Sequence, residues 1–172
     1  MTDCIAMYDY HVWANKRMFA RLKELPPAVY KQEVQSIFSS IAKAMAHIYM
    51  VDDNWLQVLS GTSMREALAF WQQHQDEAEA KTIEELEAMY SDLADRYRAF
   101  FRQQADLEKA IVLDNPYAWI RDTRLSEIIM QVVNHGTYHR GNVSAMLRQM
   151  GHASVMTEYA LFWYQDEPKA AT

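Results

Sequence analysis

An all-α fold is what this sequence predicts, and three observations carry that prediction. Gly and Pro number only four each among 172 residues, too few to punctuate the many turns of an all-β chain. Half of the residues are apolar, and along most of the chain they recur at alternating three- and four-residue steps, the period of a helix burying one face. The breaks fall where helix stops belong: Pro26-Pro27 after the first periodic run, Gly61 after the second and Gly151 after the last. The length suits one domain over residues 1–172 with a substantial core, and is short for two.

The elements follow in order. A first helix is expected from Asp3 to Leu25, with Ile5, Tyr8, Val12, Phe19 and Leu22 on one face. The same stripe passes through Asn15, with His11 alongside, so a polar group faces the interior and needs a partner there. A second helix, from about Ser39 to Ser60, carries Ile41, Ala44, Ile48, Val51, Trp55 and Leu59, and His47 falls within that face. Residues 62–81 read as a long crossover: Ala67 to Trp71 fits a short helix, but Gln72 to Lys81 is almost wholly polar or Ala. Thr82 and Glu85 form a capping-box pattern that opens a third helix through Leu86, Tyr90, Leu93, Tyr97 and Phe100. Ile111 to Leu113 and Ala118 to Ile120 flank Asp114-Asn115-Pro116-Tyr117 and fit a small hairpin. The fourth helix runs from near Thr123 to just before Gly151, its stripe being Leu125, Ile128, Val132, His135, His139, Asn142 and Met146. Tyr159 to Tyr164 is expected to cross the bundle as a short helix or strand.

Several function classes are excluded by the same reading. No apolar run approaches the length of a membrane span, and the N-terminus lacks the basic-then-apolar pattern of a signal peptide. One cysteine, Cys4, rules out an intramolecular disulfide and fits a reducing compartment, so the chain is expected to be soluble and cytoplasmic. A net charge of −6, with seventeen basic residues against twenty-three acidic ones, argues against nucleic acid as a partner.

The chemistry concentrates in His135-Gly136-Thr137-Tyr138-His139. A helix stacks two imidazoles four residues apart on one face, as a divalent metal requires, and both continue the apolar stripe. Two ligands do not close a site, and His47, in the middle of the second helix's inward face, is the best third ligand. His11 offers an alternative ligand or a pocket wall, and Asn15 either hydrogen-bonds a ligand imidazole or joins His11 as a polar plug at one end of the bundle. Trp55, eight residues after His47 on nearly the same face, stands to wall a pocket or simply to fill the core. Gly136 and Gly141 each cost about 1 kcal/mol relative to alanine in a helix, so they serve close approach of a neighbour or a ligand, or tight helix packing. His74 and His152 read as solvated, and Asp52, Asp53 and Glu158 as carboxylates whose commoner role is surface solvation. Position 136 is Gly where a zinc-protease motif would hold its general-base glutamate, which argues against peptide hydrolysis by that route.

Three segments resemble the DinB family of DNA-damage-inducible four-helix proteins, which includes thiol-dependent S-transferases and mycothiol-dependent maleylpyruvate isomerases. They are Tyr10-His11-Val12-Trp13-Ala14-Asn15, Ala46-His47 through Trp55, and Asn134-His135-Gly136-Thr137-Tyr138-His139-Arg140-Gly141. The resemblance implies an up-down-down-up four-helix bundle with a long crossover between helices two and three, and frequently a homodimer. It places the family's metal triad on His47, His135 and His139. Asn142 stands where the family commonly has Gln, and Glu158 where Asp is common. Three neutral imidazoles with open positions suit zinc or nickel first, and ferrous iron as well. The expected activity is that of a metal-dependent transferase or hydrolase, activating a low-molecular-weight thiol or water against a small-molecule substrate. The rival expectation is a non-catalytic, dimeric, metal-binding stress-response protein.

Overall fold

The computed structural model describes residues 4–165. Within them the chain is mostly helical, with one small antiparallel sheet, in the order α1 (Cys4–Lys23), α2 (Ala28–Lys31), α3 (Ile41–Leu59), α4 (Met64–Ala80), α5 (Ile83–Gln103), β1 (Ala110–Asp114), β2 (Ile120–Arg124), α6 (Leu125–Gln149) and α7 (Tyr159–Phe162). The expected start of the first helix at Asp3 lies outside the described residues. Among the described residues no helix is long and apolar enough to cross a membrane.

Local signals explain the boundaries. Ser40 caps α3 by accepting a hydrogen bond from the Lys43 N–H, and Thr82 with Glu85 closes a reciprocal capping box at the start of α5. Gly61 and Gly151 take positive φ angles just beyond α3 and α6, the backbone conformation in which glycine ends a helix.

The long helices α1, α3, α5 and α6 share the core, with α6 and α5 each packed against both α1 and α3. Their apolar contacts form two main clusters. One gathers Met18, Phe19, Met45, Ile48, Leu86 and Met146, and the other Tyr8, Leu56, Leu93, Tyr97, Ile128 and Val132. Between them along α1, α3 and α6 come His11, Asn15, Asp52 and Arg140, all buried, so a polar layer divides the interior. Ile5 stands at the exposed edge of α1 rather than in the core face.

Two expectations need correction, and a third holds. Residues 64–80 form one continuous helix, where only Ala67 to Trp71 was expected to be helical. Ser63 and Glu66 form a capping box at its start, and Ala67, Trp71 and Ala78 lie on one side of it. A face built mainly of alanine is weakly apolar yet helix-favouring, which is why a hydrophobicity reading undercounts it. The hairpin exists, but β2 begins at Ile120, because Asn115 to Ala118 form the turn, with Asn115 accepting from the Tyr117 and Ala118 N–H groups. Trp119 is 74% exposed in that loop, so its apolarity was no sign of a buried strand. The aromatic segment after α6 forms a short helix as expected, α7, whose Tyr159 and Phe162 pack on Tyr10 and Trp13 of α1.

Candidate metal centre

His47 projects from α3, and His135 and His139 from successive turns of α6. One ring nitrogen from each lies within 4.8 Å of the other two. The Nε2 atoms of His47 and His135 are 3.1 Å apart. An ion bound tetrahedrally at about 2.0–2.1 Å from each nitrogen would hold its nitrogen ligands roughly 3.3 Å apart, so this pair is already near a ligand spacing. The ring centroids of His135 and His139 are 4.4 Å apart, and those of His47 and His139 4.7 Å. Among the described residues no carboxylate or thiol joins the group.

Burial and mutual repulsion suppress the basicity of these rings. Burial lowers His135 to about 3, with the charges that His139, His47 and His11 would carry adding to the effect. Burial, and then His47, lowers His139 to about 4. Burial also lowers His47, while Asp52 and Glu79 partly oppose it. All three are therefore neutral near pH 7, which leaves one lone pair per ring for a metal. Because these groups bind protons less readily folded than unfolded, the metal-free protein should lose stability as pH falls from about 6.5 towards 4. Thermal melts across that window check this, and a His135→Ala/His139→Ala variant should flatten the slope.

Phe38 closes one side of the group, with ring centroids 5.0 Å from His47 and 5.2 Å from His139. Trp71 of α4 stands 6.4 Å from His47, and the exposed Tyr138 ring 4.9 Å from His139. The Asn142 amide lies 3.2 Å from His139 Nδ1. With Nδ1 engaged there, Nε2 is the ring atom left for the triad. Nδ1 then carries the proton, and the amide must present its oxygen, which a half-turn of the amide allows. Asn142→Leu is expected to weaken metal affinity about 10–100-fold in chelator competition; unchanged affinity would remove Asn142 from the centre.

Behind the triad lies the polar layer. The Arg140 Nη1 donates to Asn15 Oδ1 at 2.9 Å and reaches His11 Nδ1 at 3.1 Å, while Nη2 donates to Thr137 Oγ1 at 2.9 Å. A guanidinium only donates, so His11 Nδ1 is the acceptor and the imidazole proton sits on Nε2. Nε2–H then donates to Asp52 Oδ2 at 2.8 Å. Burial pushes the Asp52 carboxyl up, and His11 and Arg140 pull it back. His11 packs directly on Gly136, where a Cβ would come within 2.2 Å of its Cε1.

A DinB family model matches residues 1–170. The chain belongs to the DinB family. Protein DinB of Bacillus subtilis (strain 168) is 46% identical over 165 residues, which cover 96% of each chain.

In this DinB-family chain His47, His135 and His139 converge, and Asn142 touches one of them. His11 does not join the triad, because both its nitrogens are committed to the polar layer. Asn15 accepts from Arg140 at Oδ1, with its Nδ2 2.9 Å from His11 Nε2, and reaches no triad imidazole. Trp55 packs towards the hairpin, beside Val58 and Leu113, and the tryptophan next to His47 is Trp71. The close approach at Gly136 is real, whereas a Cβ at Gly141 would meet nothing within 4 Å. Asp52 and Asp53 are 2% and 5% exposed rather than solvated; Asp52 faces His11, and Asp53 pairs with Arg96 at 2.8 Å. Glu158 is exposed. His74 and His152 are half-buried, and His74 stacks on Phe70. The sequence reading missed Phe38, Trp71 and the buried role of Arg140. For Arg140 one signal existed, a basic residue beside two core-facing histidines.

Proposed function

We propose that His47, His135 and His139 hold one divalent metal ion, zinc or nickel foremost and iron as an alternative, and that the protein is a metal-dependent enzyme acting on a small molecule. The observation that carries this reading is the donor set: three neutral imidazoles brought together from two helices, with no fourth ligating side chain among the described residues. A closed structural zinc site would use four protein ligands, whereas three protein ligands leave a position open. The metal, when bound there, would lower the pKa of a low-molecular-weight thiol or of water and supply a nucleophile at neutral pH. Asn142 would orient His139, and Phe38 with Trp71 would keep bulk water from two sides of the centre. An electrophilic small molecule is the substrate class that such a nucleophile consumes. We further read α1, α3, α5 and α6 as the family's up-down-down-up bundle, with α4 carried on the crossover, in a homodimer.

The test is metal content by elemental mass spectrometry on untagged protein, beside His47→Ala and His139→Ala variants that remain folded by circular dichroism. Near-stoichiometric metal in the parent and its loss in both variants is the expected result. A parent protein that neither carries metal nor accepts it on reconstitution would sink the proposal. A loaded protein that leaves the titration of small thiols unchanged and hydrolyses no electrophile would make the ion a tie between α3 and α6.

A further inference from the structure

A cavity of about 410 Å³ opens between α1 and α5 and reaches inward to α3. That size falls within the roughly 300–1,000 Å³ of small-molecule sites. None of the three triad histidines lines it. Its inner end is the polar layer, through His11 and Asp52. Asp52 is almost fully buried, and its Oδ2 accepts from His11, yet Oδ1 has no hydrogen-bond partner among the described residues. A buried carboxylate oxygen without a donor is uncommon in a folded protein and marks a missing partner. His11 cannot supply it, since its single N–H is already spent on Oδ2.

The rest of the cavity says what kind of donor fits. Its sides are apolar and aromatic, from Tyr8, Phe19, Tyr90 and Leu93. Glu84 and Glu87 stand at the rim with Lys16, and Glu87 pairs with Lys23 at 2.7 Å. Among the described residues no Lys or Arg touches Asp52, and the Arg140 guanidinium reaches it only through the His11 ring. An anionic ligand would meet Asp52 at the floor and two glutamates at the entrance. A cation would meet the Asp52 carboxylate at the floor and aromatic faces along the sides.

We infer that this cavity is a binding site for a small organic ammonium ion, its N–H donating to Asp52 Oδ1 and its apolar body lying against Tyr8, Phe19 and Tyr90. The site is separate from the metal centre and stands independently of the proposal made for it. Water alone filling the space is the competing outcome.

Isothermal titration calorimetry of the full-length protein with 2-phenylethylammonium, 2-phenylethanol and phenylacetate tests this. The ammonium should bind saturably at one per chain, and the alcohol and the carboxylate at least about tenfold more weakly. Asp52→Asn should weaken ammonium binding roughly tenfold to a hundredfold, the worth of a charge-assisted hydrogen bond. Ser91, exposed at the cavity's edge, allows a second variant that leaves the polar layer alone: Ser91→Trp should block entry while the chain stays folded. His139→Ala should retain binding, which separates this site from an amine captured by the metal. Absence of saturable binding, equal binding of the alcohol, survival of binding in Ser91→Trp or its loss in His139→Ala would each overturn the inference.

Discussion

Arg140→Leu is expected to lower the free energy of unfolding by about 3–5 kcal/mol, the cost of leaving a buried charge without its counterpart. Arg140 is only 1% exposed and donates to Asn15 and Thr137, with His11 in reach of the same guanidinium. Its opposite charge is Asp52, to which it connects through the His11 imidazole. Removing the guanidinium strands the Asp52 carboxylate in the interior and frees His11 to turn its proton to the wrong nitrogen. Lysine should rescue poorly, because a point charge cannot serve three partners fixed by a planar fork. Urea denaturation followed by circular dichroism measures the loss. A double mutant with Asp52→Asn should lose less than the two single changes added, with a coupling of about 0.5–3 kcal/mol. If Arg140→Leu stays within about 0.5 kcal/mol of the parent, the range of ordinary surface changes, the polar layer does not hold the bundle together.

That polar layer shows where sequence reading stops. His11 and Asn15, four residues apart on an otherwise apolar face, announced that a buried partner was needed. Which partner was not legible, because Asp52 and Arg140 lie 41 and 129 residues from His11, and charged residues are mostly solvated. The convergence of His47, His135 and His139 was expected, because all three sit mid-face on long helices and the resemblance to the DinB family places its metal triad on them. Their aromatic surroundings were not. Phe38 lies before α3 in irregular chain, and Trp71 belongs to α4, whose alanine-rich buried face gives little hydrophobic signal. Trp55 was the tryptophan on the right helix but at the wrong end of it. In each case periodicity placed a residue on a face, and only the neighbouring element's position could say what that face meets.

Gly136→Ala should destabilise the protein by roughly 0.5–2.5 kcal/mol, whereas Gly141→Ala, five residues along the same helix, should stabilise it by about 0.5–1 kcal/mol. Alanine gains that smaller amount at any unconstrained helical glycine, and a Cβ at Gly141 meets nothing within 4 Å. At Gly136 the same methyl group would sit 2.2 Å from His11 Cε1, 2.6 Å from Nδ1 and 2.9 Å from Arg140 Nη1. His11 has no free path of retreat, since Asp52 holds one ring edge and Arg140 the other. The ring must therefore move and lose its bond to a charged carboxylate, about 1.5–3 kcal/mol, or the two helices must part, an overpacking cost of about 1–3 kcal/mol. Helix propensity returns only part of either loss. Paired denaturation curves for the two variants read the difference directly, with propensity cancelled between them. Equal, stabilising effects at both positions would mean that α1 and α6 are free to separate, and that the missing side chain at 136 has no structural purpose.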